Sequence, residues 1–173
     1  MEKPYMLYFN AMIAAHKEIF DAVNDLSTDR FNQKPDEKSW SVAQIMEHLF
    51  LAEEFALSYM NKKMKSQGKL KKAGFSSAFK SKLLNACLRS SVKFKAPSLT
   101  NPSENSYDPK EFTKQWLAQD EKFKQYLSDF PAELVYLEIF KHPVVGKLNM
   151  LQTLEFMSIH AQRHKNQILK RLA

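Results

Sequence analysis

Glycine and cysteine are the scarce residues of this 173-residue chain. Three glycines and seven prolines are too few to turn a many-stranded β fold, whose hairpins draw on residues tolerant of positive φ. The single cysteine, Cys87, excludes a disulfide framework or a cysteine-based zinc knuckle and fits a reducing compartment. No run approaches the roughly 18 consecutive apolar residues of a spanning helix. The opening MEKPYMLYFN lacks a basic region followed by a long apolar stretch, so no signal peptide is expected. Together these absences predict a soluble, cytoplasmic, mostly helical protein whose length suits one domain, residues 1–173.

One further absence is local. No Asp or Glu occurs from Phe55 to Ser103, where eleven basic residues run from Lys62 to Lys95. The chain's net charge is +7, so outside this segment acidic residues outnumber basic ones. A basic segment can meet nucleic acid, an anionic surface or an acidic ligand. No aromatic stacking pattern is interleaved with these lysines and no helix-turn-helix is visible. The favoured reading is a solvated helix end and linker, without nucleic acid as a partner.

What is present is helical periodicity. Tyr5, Phe9, Met12, Ile19 and Val23, with His16 in the same stripe, mark a first helix; the polar stretch from Ser27 to Lys38 breaks it. Ser41 and Gln44 make a capping-box pair, with Trp40 and Ile45 placed as a hydrophobic staple. They open a second helix with an inner face at Val42, Ile45, Leu49, Ala52 and Ala56. Phe75 to Arg89 reads as a short amphipathic helix, with Phe79, Leu83 and Cys87 on one ridge and Leu84 and Leu88 on the next. Lys95 to Tyr107 reads as an irregular loop. Asp108-Pro109-Lys110-Glu111 starts another helix with a cap and a proline in its first turn, its core stripe running from Phe112 through Trp116 and Phe123 to Phe130. After Pro131, Ala132 to Phe140 reads as a short helical piece and His142 to Gly146 as a turn. Asn149 and Gln152 cap a last helix reaching nearly to Ala173. Four long amphipathic helices joined by long connections predict an all-α four-helix bundle.

The histidines are the informative residues. His160 and His164 are one turn apart on one face of the last helix, close enough to share a divalent ion at about 2.1 Å per bond. His48, at the margin of the second helix's buried stripe, would complete a three-nitrogen site with a position left open, the arrangement of catalytic rather than structural zinc. The competing reading is three core histidines, each bonded to a carbonyl or carboxylate. His16 is either a fourth ligand or a hydrogen-bonded core residue, and His142, before a proline, reads as a turn or surface residue. Gln44 and Gln167 are candidates to orient a ligand imidazole. No carboxylate stands out as a general base. Three imidazoles suit zinc, nickel, iron or copper.

Taken together, Trp40-Ser41 followed by His48, then His142-Pro143-x-x-Gly146, then His160-x-x-x-His164 resemble the DinB superfamily, the DinB/YfiT-like metalloenzymes. The resemblance spans nearly the whole chain and implies a four-helix bundle of that type. It implies that His48, His160 and His164 hold a divalent metal such as zinc, nickel or iron. Family members with an assigned reaction are mostly thiol S-transferases using bacillithiol, mycothiol or glutathione, with isomerases among their relatives, and homodimers are common. The expectation is therefore a metal-dependent thiol S-transferase or hydrolase with a low-molecular-weight thiol as cosubstrate. Such chemistry needs no protein nucleophile, which fits Cys87 as a small buried apolar residue. The alternative is a non-catalytic, metal-stabilised bundle acting as an interaction or stress-response module. The lysine-rich segment between the second and third long helices departs from the family pattern and leaves the approach to the site undefined.

Overall fold

A computed structural model describes residues 3–65, 70–90 and 100–173 of the chain. The described residues form helices α1 (Met6–Val23), α2 (Thr28–Asn32), α3 (Val42–Lys65), α4 (Phe75–Arg89), α5 (Pro109–Asp129) and α6 (Met150–Leu172), with a two-stranded hairpin of β1 (Phe140–His142) and β2 (Gly146–Leu148). The fold is all-α apart from this hairpin.

Local chemistry explains where the helices begin. Ser41 Oγ accepts from the Gln44 amide at 3.1 Å while Gln44 Oε1 accepts from the Ser41 amide at 3.2 Å, so two of the orphan donors at the start of α3 are satisfied. Asn149 and Gln152 form the same reciprocal pair at the start of α6. Asp108 accepts from the amides of Lys110 and Glu111, with Pro109 at the first position of α5. At the far end of α5 the Lys3 ammonium bonds the carbonyls of Leu127, Ser128 and Phe130, where a cation meets the negative end of the helix dipole.

The long helices close a ring of contacts: α1 packs on α6, α6 on α3, α3 on α5 and α5 on α1. Their inner faces build two apolar clusters. One gathers Phe9 and Met12 of α1, Ala56 and Met60 of α3, Phe123 and Leu127 of α5, and Leu154, Met157 and Ala161 of α6. The other gathers Ile19 and Val23, then Ile45 and Leu49, then Phe112 and Trp116, and finally Ile168. The order in which each helix enters the two clusters sets α1 and α6 running one way, α3 and α5 the other. The connection from α3 to α5 therefore crosses the full length of the molecule. The basic segment begins in the last turn of α3, at Lys62, Lys63 and Lys65, and continues into that connection. Its described part pairs Lys71 and Ala73 with Tyr136 and Glu138 through backbone hydrogen bonds and carries α4 against α6.

Between the clusters lies a polar layer. His16 of α1 is fully buried, its Nε2 2.9 Å from Glu53 Oε1 of α3 and its Nδ1 3.2 Å from both carboxylate oxygens of Asp120 of α5. The Trp116 indole donates to Glu53 Oε2 at 3.0 Å. Burial opposes a charge on His16, but the two carboxylates prevail and raise its pKa to about 10. The ring is an imidazolium donating from both nitrogens.

Three sequence readings are corrected. The polar stretch from Ser27 to Lys38 contains α2, capped by Ser27 and holding the fully buried Phe31. Its single apolar side chain is too little for a periodic signal. Ala132 to Phe140 contains only one 3₁₀ turn, Ala132–Leu134, because Glu138 and Ile139 give their amides to Lys71 and Leu148 rather than to a helix. Phe79 and Leu83, read as one ridge of α4, are exposed, while Leu84 and Leu88 turn inward. The loop reading for Lys95 to Tyr107 falls partly outside the described residues.

His16→Ala is expected to cost about 3–5 kcal/mol of folding stability, since it leaves two buried carboxylates without their cation. In the wild type the folded chain keeps the His16 proton up to about pH 10, whereas an ordinary histidine releases it near 6.5. Folded protein thus binds the extra proton across that window, and its stability should fall as pH rises through it. Denaturant midpoints measured at steps from pH 6.5 to 10 check both: the slope should be present in the wild type and reduced in the variant.

Candidate metal centre

His48 projects from α3 and His160 and His164 from α6, and the three side chains meet. His160 Nε2 lies 3.3 Å from His48 Nε2 and 3.0 Å from His164 Nε2. The His48 and His164 rings are 5.0 Å apart. His48 and His164 are buried and His160 half-buried.

Their outer nitrogens decide what the inner ones can do. His48 Nδ1 is 2.7 Å from the Thr100 carbonyl, and His164 Nδ1 is 2.7 Å from Gln167 Oε1. A carbonyl oxygen only accepts, so each Nδ1 carries the hydrogen and each Nε2 presents a lone pair toward the third ring. Burial holds the His48 pKa down; burial, then the neighbouring His164 and His48, holds His160 far lower; and burial with His48 brings His164 to about 3. Three neutral imidazoles thus crowd their unprotonated edges together, and the one hydrogen His160 can contribute satisfies only one partner. A cation satisfies all three. The spacing is close to that role: two ligands about 2.1 Å from one tetrahedral ion stand roughly 3.4 Å apart.

The cluster forms part of the wall of a cavity of about 890 Å³ shared by α3, α4, α6, the hairpin turn and the chain around Trp40. Ile45, Ala52, Phe55, Leu84, Leu88, Phe140 and Phe156 supply apolar wall, and Lys38, Arg163, Lys170 and Arg171 outnumber Asp36, the acidic lining residue. The volume admits a small-molecule ligand. Arg163 donates to the carbonyls of Leu88 and Ser90, tying the end of α4 to α6 along this wall.

The remaining sequence candidates separate. Gln167 bonds a histidine of the trio; Gln44 does not, its amide nitrogen donating instead to the Ser103 carbonyl. His16 lies with Glu53 and Asp120 rather than with the trio. One ligand atom from each of His16, Glu53 and Asp120 lies within 4.8 Å of the others, so this buried group is a second candidate cation site by composition; each carboxylate, however, already bonds a different nitrogen of the His16 ring. Of the two readings of His142, turn residue holds and surface residue does not: it stands at the hairpin turn but is buried, lines the cavity and packs edge-on against Phe156 at 4.5 Å. Sequence reasoning also missed the Thr100 carbonyl, a backbone group with no residue-type signal. It missed Glu47 as well, which accepts from Ser103 and from the Tyr107 hydroxyl and so holds the loop carrying Thr100 against α3.

His142 and His164 titrate near 4 and 3 in the folded chain, well under the ordinary 6.5. On acidification the unfolded chain takes up protons that the folded chain refuses. Stability of the metal-free protein should therefore fall as pH drops from 6.5 toward 3. Melting curves in chelator at pH 7, 6 and 5 check this, with a progressive fall expected; a flat profile would contradict the buried neutral rings.

Comparison with known proteins agrees with the helical architecture. The sequence model of the DinB superfamily, a metal-associated family, matches residues 11–168. The uncharacterized protein YuaE of Bacillus subtilis (strain 168) is 23% identical over 154 residues, covering 89% of this chain and 90% of that protein. No solved structure matches significantly, and among the described residues no helix is long and apolar enough to cross a membrane. With the family match running from the first helix to the last, the chain belongs to the DinB superfamily.

Proposed function

We propose that this protein is a metal-dependent enzyme of the thiol S-transferase or hydrolase type, in which His48, His160 and His164 hold one divalent ion, zinc, nickel or iron. The observation that carries the reading is the convergence of three neutral Nε2 atoms, 3.0 and 3.3 Å apart, in the wall of the cavity. A divalent ion bound by three imidazoles with a position open acidifies a thiol or water placed there, giving a nucleophile at neutral pH.

The rest of the work falls to the chain's own residues. Thr100 and Gln167 fix two imidazoles in the tautomer that leaves Nε2 free, as outer partners of metal ligands do. The apolar walls shed water from whatever organic body enters. Lys38, Lys170 and Arg171, along the cavity, suit the carboxylates of a low-molecular-weight thiol cosubstrate. The helices act as a single four-helix bundle of the DinB/YfiT type, residues 1–173. We further infer a cytoplasmic homodimer, for which the exposed Phe79 and Leu83 of α4 and Leu7 of α1 offer apolar surface.

Elemental analysis of dialysed protein should find about one divalent ion per chain, lost in His160→Ala. A screen of small thiols with electrophilic acceptors should then give turnover only with the loaded wild type. Metal bound without turnover in thiol-transfer and hydrolysis screens would favour a metal-stabilised bundle without catalysis. No metal after reconstitution would end the enzyme reading. Gln167→Leu leaves the three rings in place but removes the acceptor for His164 Nδ1, and metal affinity measured by competition with a chelator should fall roughly 10- to 100-fold.

A further inference from the structure

His142 has two ring nitrogens in different circumstances. Nδ1 accepts from the backbone amides of Val144 at 3.1 Å and Val145 at 3.3 Å, so the side chain spans its own turn as an Asx residue would. The intervening Pro143 has no amide to offer, and Gly146, with φ at +85°, turns the chain into β2. With two N–H groups directed at Nδ1, that nitrogen cannot carry a hydrogen, and the ring's hydrogen must sit on Nε2. Nε2 has no protein partner among the described residues, and His142 lines the cavity of the three histidines. An aspartate or asparagine would close such a turn equally well; an imidazole adds a second nitrogen beyond it.

The ring is also held in position. It meets Phe156 edge-on at 4.5 Å, and Phe156 in turn stacks on His160 at 5.4 Å with 18° between planes. One aromatic ring separates it from the histidine trio. The backbone amides that lock Nδ1 oppose protonation at that atom, and burial acts in the same direction, so the group is a neutral donor at physiological pH.

We propose that His142 is a substrate-binding residue of this site, whose Nε2–H donates a hydrogen bond to an oxygen acceptor, a carbonyl or carboxylate, on the molecule held at the three histidines. This rests on the reading of those histidines as the reacting centre, and it assigns the ligand's chemical class: a metal-seeking group joined to an oxygen acceptor. When negative charge grows on that oxygen, a fixed neutral donor in a low-dielectric cavity stabilises it without reorganisation.

The test uses the zinc-loaded full chain and two probes of equal length, 3-mercaptopropionate and propanethiol, with binding followed by calorimetry. His142→Asn keeps an acceptor for the turn amides and removes the ring. The variant should bind 3-mercaptopropionate about tenfold more weakly than the wild type while holding propanethiol and zinc unchanged. Long-range proton–nitrogen NMR of the wild-type imidazoles should show His142 protonated on Nε2, with that proton shifting when 3-mercaptopropionate is added. Equal affinity of variant and wild type for 3-mercaptopropionate, an equal loss for both probes, or an Nδ1-protonated ring would overturn the role of His142 alone. A wild type that takes no zinc, or loaded protein that binds neither probe, would remove the reading of the three histidines and this proposal with it.

Discussion

A proton held on His16 between Glu53 and Asp120 fixes the relation of three helices at the midpoint of the molecule. Apolar side chains above and below this layer set how close the helices lie, but they are tolerant of rotation and of sliding. A charged ring with a carboxylate on each nitrogen is not. Moving α3 by one residue would carry Glu53 off the ring and leave charge buried without a partner, a loss of several kcal/mol. The layer therefore sets the rotation and height of α3, and His48 rides on the same helix. Lys165 of α6 reaches Glu18 of α1, both oxygens at 2.9 Å, which ties the remaining helix to α1 next to His164.

That frame makes the cavity a consequence of topology. The α3-to-α5 connection must cross the molecule, and it carries α4 along one flank of α6 while the loop with Thr100 returns over the start of α3. The space enclosed by these segments and the hairpin is lined by side chains that the long helices alone would leave facing water. Glu47 shows the effect: it sits on the outward side of α3 by helical phase, yet it is buried because Ser103 and Tyr107 close over it. The residues from Ser41 to Leu49 are buried without interruption for the same reason.

The two histidine clusters divide the work between opposite states of one side chain. Two carboxylates keep His16 a cation at neutral pH, and that cation locks the scaffold. The trio, away from carboxylates and out of water, is held neutral and so suited to metal. Environment rather than residue type decides which histidine does which, and the two environments meet on α3, which carries both His48 and Glu53.

Much of this was legible along the chain. The starts of α3, α5 and α6 were written in Ser41-Gln44, Asp108-Pro109 and Asn149-Gln152, because capping chemistry acts over three or four residues and needs nothing distant. The inner stripes and the one-turn spacing of His160 and His164 were equally local. The pairing of His16 was not: Glu53 and Asp120 fall in phase with the inner stripes of α3 and α5, but they lie on other helices, and nothing local says that their cation comes from α1. Nor was α2, which one buried Phe31 justifies only after α3 covers it, or the strand at Phe140, where pairing with Leu148 outweighs helical propensity. His142 belongs to the same class: its turn was readable, but not the cavity behind it. The sequence by itself determined the helices and their caps, through interactions within one turn of backbone. The tertiary structure alone decided which histidine is charged, which are neutral and what they face, because a charge or carbonyl supplied by another element has no local signature.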